Sequence, residues 1–264
     1  MKPTFFIPLT LAFLIGVIGA ISESAILPES TPPPSVTLLY EPIAVVELFT
    51  SQGCSSCPPA DQLLGSIVNE AETQDQSVYA LSFHVAYWNY LGWQDPFSHE
   101  AFTKRQRQYA RTLGESVYTP QMVVNGTKVF VGSKSSMAQD EIQKAQQQAA
   151  THRIMMVPTL DEKEVYIKFK VEGPASGQVL HLALVERDLS VDVKRGENSG
   201  RTLHHDNVVR QFETVSLETQ SGGSLRIKLP EGINLSKTSL IGYVQDTQSL
   251  EISGASRAAL SSQR

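Results

Sequence analysis

The stretch Val45-Val-Glu47-Leu-Phe-Thr50-Ser-Gln-Gly-Cys54-Ser-Ser-Cys57-Pro-Pro-Ala-Asp61 decides how this chain is read. Val45 to Thr50 is a short apolar strand carrying one acid, Glu47. From Pro59 to about Thr73, Leu63, Leu64, Ile67 and Val68 recur on one helical face. A Cys-x-x-Cys pair between a strand and a helix start is an arrangement for redox chemistry. The helix amino terminus presents free N–H groups and a partial positive charge, which favours the thiolate of Cys54. Cys57, one turn on, is placed to attack a mixed disulfide and release the substrate. Pro58 and Pro59 suit a first turn, where a missing N–H costs little.

The rest of the composition narrows the class. Two cysteines in 264 residues exclude a disulfide-stapled scaffold and a four-cysteine zinc site. A net charge of -5 without a basic block gives a nucleic-acid partner no support. At 41% hydrophobic residues the chain is globular rather than disordered or multiply membrane-spanning.

The amino terminus reads as an address. Met1-Lys2 precedes an uncharged apolar run, Phe5 to Ile21. Residues 1–24 are therefore predicted to be a signal peptide or a membrane anchor. Residues 25–35, with Pro28-Glu-Ser-Thr-Pro32-Pro-Pro-Ser35, read as an extended linker. Export places the folded part in an oxidising compartment, periplasmic or extracellular.

Two grammars follow. Residues 36–152 alternate strand and helix patterns. After the helix comes a strand at Val78–Val85, an aromatic stretch, and a helix from about Ser98 to Leu113. The runs 121–124 and 128–131 flank Asn125-Gly126, a strong hairpin signal, and a helix from Ser135 to Ala150 closes the half. Residues 153–264 read as all-β, with runs near 155–160, 164–171, 178–186, 208–217, 224–229 and 239–245. The expected fold is an α/β domain followed by a small, sandwich-like all-β domain.

Topology then recruits further residues to the cysteines. The first two strands should be parallel, so Thr50 and His84 end on one side. A hairpin strand antiparallel to them starts on that side, at Thr119-Pro120, and a Pro entering a strand invites a cis peptide bond. The Thr119 backbone would then lie beside the sulfurs, open to pairing with a substrate strand. His84 could stabilise the Cys54 thiolate or orient the aromatic loop. In an alternative metal-handling reading, Cys54, Cys57 and His84 would ligate copper(I) or zinc. Lys104, Arg107 and Arg111 read as a solvated helix face. Arg195 to Arg210, with adjacent His204, His205 and Asp206, reads as a docking loop or a partner surface.

The order strand, Cys-x-x-Cys, helix, strand, helix, Thr-Pro, hairpin, helix resembles a thioredoxin fold. More narrowly, Val45 to Asp61 is similar to an uncharacterised secreted thioredoxin-like family, domain of unknown function 1223. So are Phe83-His84-Val85, Tyr87-Trp88, Tyr90-Leu-Gly-Trp93, Asp95-Pro-Phe97 and Tyr118-Thr-Pro-Gln-Met-Val-Val124. The similarity continues through Gly196-Glu-Asn-Ser-Gly-Arg201, His205 and Asn207-Val-Val-Arg210. Ala86 and Asn89 stand where that family usually has acids. The resemblance implies a thioredoxin-like domain with a thiol–disulfide site. It also implies that Glu47, a buried acid on the first strand, relays a proton for Cys57. The expected activity is that of an exported thiol–disulfide oxidoreductase with no cofactor beyond the Cys54–Cys57 disulfide. Its expected partners are protein thiols or disulfides and a membrane electron donor.

Overall fold

Strand β1 (Ala44–Thr50) is buried along all 7 of its residues, so the chain must cover both of its faces. Alternation along the strand assigns the covers. Ala44, Val46 and Leu48 pack under helices α1 (Pro58–Thr73) and α3 (Ser135–Ala145). Val45 and Phe49 face the other way, toward Phe102 and Tyr109 of α2 (Glu100–Leu113). Strand β2 (Val78–His84) lies parallel to β1, with Ala44 opposite Val78 and Thr50 opposite His84. Strand β3 (Gln121–Val124) runs antiparallel on the other flank, and β4 (Lys128–Val131) forms the edge. Asn125 at φ 43° and Gly126 at φ 74° supply the two positive φ values of a tight hairpin turn. A Cβ on Gly126 would lie 1.7 Å from the Leu250 carbonyl oxygen, so glycine is required there twice over.

The later chain contributes β5 (Arg153–Asp161), β6 (Glu164–Glu172), β7 (Gln178–Glu186), β8 (Leu189–Asp192) and β9 (Thr202–His205). It continues with β10 (Val208–Ser216), β11 (Gly222–Lys228), β12 (Thr238–Asp246), β13 (Ile252–Ala259) and the short β14 (Ser261–Ser262). This computed structural model describes residues 1, 3–6 and 39–262, so the predicted leader and linker lie almost wholly outside the described residues. Among the described residues no helix is long and apolar enough to cross a membrane.

The expected division into an α/β thioredoxin-like domain and a separate all-β domain is overturned. One mixed sheet of eight strands runs β13-β12-β7-β10-β2-β1-β3-β4, drawing on both halves of the chain. The joint is β10, where Val208 pairs in parallel with Ser82 of β2 and the rest of the strand runs antiparallel to β7. Residues 37–264 accordingly form one compact unit, and the predicted boundary at 152/153 falls inside it. The core crosses the joint as well: Phe83 and Val85 share a cluster with Ala183, Val185, Val209 and Tyr243. The second sheet, β11-β6-β5-β14, packs its Ile154, Ile167 and Phe169 against Leu180, Leu182 and Leu240 of the large sheet. The sandwich expected in the second half therefore exists only as a layer on the shared sheet. The physical reason is that apolar strand runs announce burial but not which edge they join.

Candidate functional site

The cysteines lie where β1 feeds α1. Cys57 is the residue at the helix start, followed by Pro58 and Pro59, and Cys54 closes the preceding turn through its N–H to the Ser51 carbonyl at 3.2 Å. Both are free thiols and both are buried. The Thr119–Pro120 peptide is cis, and the Thr119 carbonyl oxygen lies 3.9 Å from Cys54 Sγ. The Trp88 indole N–H donates to Thr119 Oγ1 at 2.7 Å, so the aromatic segment steadies the same loop.

The two sulfurs are electrostatically unequal. The Cys57 thiol hydrogen-bonds Cys54, and with Ser56 and Thr119 it outweighs burial and lowers the Cys54 pKa to about 6. Burial first, and then the hydrogen bond to Cys54 and the charge of Asp61, push the Cys57 thiol far up. The helix terminus contributes less to this asymmetry than its position implies. Pro58 and Pro59 lack N–H groups, and the Ser55 N–H is taken by the exposed carboxylate of Glu197 at 2.8 Å.

His84 stands at the end of β2, fully buried, with Nδ1 2.7 Å from Asp95 Oδ2. Burial alone would lower its pKa, but the charge and hydrogen bond of Asp95 reverse this and raise it. Asp95 Oδ2 also accepts the Gln52 backbone N–H at 2.9 Å, and Oδ1 accepts the Phe97 N–H at 3.0 Å. His84 thus ties the aromatic loop to the turn that carries Cys54. Among the described residues no group of three or more His, Cys, Asp and Glu side chains is arranged to hold a metal ion. The ligand set Cys54, Cys57 and His84 is therefore not assembled.

Glu47 is not brought to the cysteines. Its carboxylate lies on the α2 face of β1, paired with Arg105 at 2.7 and 3.0 Å and accepting hydrogen bonds from Tyr109 and, at 2.8 Å, Tyr243. The acid whose charge acts on Cys57 is Asp61, one helical turn along α1. Its own N–H donates to the Cys57 carbonyl at 3.1 Å. Asp61 is 5% exposed, and His205 Nδ1 lies 3.7 Å from its Oδ2.

Three residues of the site lie in quoted motifs but are given no role by the sequence reading. Asn198, fully buried, donates to the carbonyls of Gln52 and Cys54. Glu197 caps Ser55, and Gln52 bridges Asp95, Trp93 and His205. Asn198 and Glu197 lie in the polar 195–210 stretch, whose signal was its density of Gly and charged residues between strands. The β9 pattern of exposed and buried residues in turn separates His204, outward on Ser190, from His205, inward on the site. Lys104, Arg107 and Arg111 are exposed on α2.

A mixed sheet bearing a buried Cys-x-x-Cys pair at a helix start defines a two-thiol protein. The chain belongs to the family described as protein of unknown function DUF1223, whose profile matches residues 45–245. It is similar to a crystallised protein of Agrobacterium tumefaciens at 31% identity, over 83% of this chain and 94% of that one, with a TM-score of 0.58. A domain of the outer membrane lipoprotein Omp28 from Porphyromonas gingivalis covers 44% of this chain and 92% of its own length. At 13% identity and a TM-score of 0.26, that likeness carries no argument. No curated protein matches the chain.

Proposed function

We propose that this protein is an exported thiol–disulfide oxidoreductase whose partners are protein thiols or disulfides. Cys54 is the attacking sulfur and Cys57 the resolving one. The observation that carries the reading is the asymmetry of the pair, with Cys54 lowered to about 6 and Cys57 raised. A thiolate near neutral pH beside a protonated thiol one turn away is what exchange through a mixed disulfide needs. The Thr119 carbonyl oxygen, 3.9 Å from Cys54 Sγ, puts backbone beside the attacking sulfur, where a substrate strand could pair. The apolar leader sequence supports export, and a membrane electron donor is the expected source of reducing equivalents if the protein works as a reductase.

The test is equilibration of the chain from Val36 onward in graded glutathione buffers, with alkylation and mass shift reporting both cysteines. A cooperative two-electron midpoint between about -120 and -270 mV is the expected result. A midpoint below about -300 mV would mark an inert structural bond and sink the proposal.

A further inference from the structure

Behind Cys57, on the α1 face of the sheet, polar atoms are buried without partners: both Asp61 carboxylate oxygens, His84 Nε2 and His205 Nδ1. A buried carboxylate with no hydrogen-bond donor is unfavourable, so its presence calls for a functional reason. A chain of forced hydrogen-bond choices shows what faces it. Trp93 Nε1 can only donate, and it lies 2.9 Å from the Gln52 side-chain oxygen. That contact fixes the amide, so the Gln52 NH2 group faces His205 Nε2 at 3.3 Å. His205 Nε2 must then accept, and in the neutral ring the proton sits on Nδ1, which lies 3.7 Å from Asp61 Oδ2, beyond hydrogen-bond distance.

We propose that Asp61 is the proton acceptor for Cys57 during resolution, and that His205, packed beside the Asp61 carboxylate, is its positioning residue. The inference rests on the exchange reading above and replaces Glu47, whose carboxylate is committed to Arg105 on the opposite face. In the step, the Cys57 S–H proton passes to Asp61 and the Cys57 sulfur attacks Cys54 in the mixed disulfide. The Cys54–Cys57 bond forms, the bond from Cys54 to the client sulfur breaks, and the electron pair leaves on the client thiolate. The groups facing Asp61 are Cys57 on its own helix, His205 from β9 and His84 from β2, with Asp95 behind His84. The Arg210 charge from β10 also reaches His84.

The probe is 5,5′-dithiobis(2-nitrobenzoate) added to the reduced full chain. Attack by Cys54 releases one thionitrobenzoate, and displacement by Cys57 releases the second. Asp61→Asn is expected to slow the second release relative to the first by about 100- to 10,000-fold at pH 7, the ordinary range for losing a positioned base. Asp61→Glu should recover part of the rate, and His205→Gln, which keeps a donor, should slow it less. A purely electrostatic Asp61 predicts the opposite sign, because removing its charge lowers the Cys57 pKa and speeds resolution. An unchanged or faster second release in Asp61→Asn therefore overturns the proposal. Wild type supplies a check that needs no variant to fold. With a base in place the second release is nearly flat through neutral pH, whereas a climb of about tenfold per pH unit overturns it. Release of one equivalent only from wild type would sink the exchange reading, and the proposal with it.

Discussion

Asn198 gives both hydrogens of its side-chain amide to the turn that carries the nucleophile, at 3.0 Å to the Gln52 carbonyl and 2.8 Å to the Cys54 carbonyl. The Arg201 guanidinium donates to its oxygen at 2.8 Å, which fixes the amide the right way round. The Cys54 turn sits at the end of a strand, where the sheet ladder no longer supplies donors. A residue from the 195–201 loop, far along the chain, does so instead.

Asn198→Ala takes the side-chain donor from the Gln52 carbonyl, while the Cys54 carbonyl keeps the Cys57 N–H at 3.2 Å. At about 1–3 kcal/mol for an unsatisfied buried group, the loss should be roughly 1–3 kcal/mol of unfolding free energy. Urea unfolding followed by fluorescence of the two tryptophans measures it. The variant should also alkylate faster at Cys54, because that turn loosens. A loss under about 0.5 kcal/mol, the scale of an ordinary surface change, would remove Asn198 from the supporting structure of the site.

Cys54 alkylation should follow its thiolate. With the pKa lowered from 9.0 to about 6, the rate with iodoacetamide should be half-maximal near pH 6 and flat above about pH 7. Cys57, pushed up by burial, should stay silent over that range. The linked stability has a definite sign. A group depressed on folding stabilises fully above its unfolded pKa and ceases to as pH falls through its folded pKa. The reduced protein should therefore lose stability relative to Cys54→Ser as pH drops from 9 toward 6. A Cys54 rate still climbing at pH 8 would contradict the assignment.

Much of the first half was legible because its signals are local. The Asn125-Gly126 hairpin, the helix after Pro58 and the parallel β1–β2 pair follow from turn chemistry, periodicity and crossover rules. In the site's second contributor the polar 195–210 stretch stood out, but its strands were not legible, since β8 and β9 are four-residue strands with alternating exposure and no apolar run. β13, Ile252-Ser-Gly-Ala-Ser-Arg-Ala-Ala259, pairs along nearly its whole length with β12 yet carries almost no β-branched residues. Glu47 is the instructive case. Its burial was readable, and so in principle was its face. It lies three residues from Thr50, an odd step, so the two side chains point to opposite sides of the sheet. Thr50 is the one that shares the α1 face with the cysteine-bearing helix.

The shared sheet makes the halves interdependent. A fragment ending at residue 152 would expose the β2 edge and strip Ala183, Val185 and Tyr243 from Phe83 and Val85. That fragment should lack cooperative unfolding by calorimetry, while residues 37–264 should melt in one transition. A separate, reversible melt of residues 36–152 would restore the two-domain picture.

The Glu47–Arg105 pair supplies the last prediction. Arg105 sits among the rings of Phe83, Tyr109, Phe212 and Tyr243, between 5.2 and 5.7 Å from each, and its guanidinium also donates to Gln245 at 3.0 Å. Its charge is shielded from water and, among the described residues, balanced by the Glu47 carboxylate. Glu47→Gln leaves that cation buried without a counter-ion, and removing one partner of such a pair costs about 3–5 kcal/mol. Joint replacement, Glu47→Gln with Arg105→Met, removes both charges and should recover much of the loss, because desolvating the pair was itself costly. The double-mutant cycle in urea unfolding measures the coupling. If Glu47 is structural, Glu47→Gln should leave the pH profile of the second thionitrobenzoate release where it was. A displaced profile with little change in stability would return the proton relay to Glu47 and take it from Asp61.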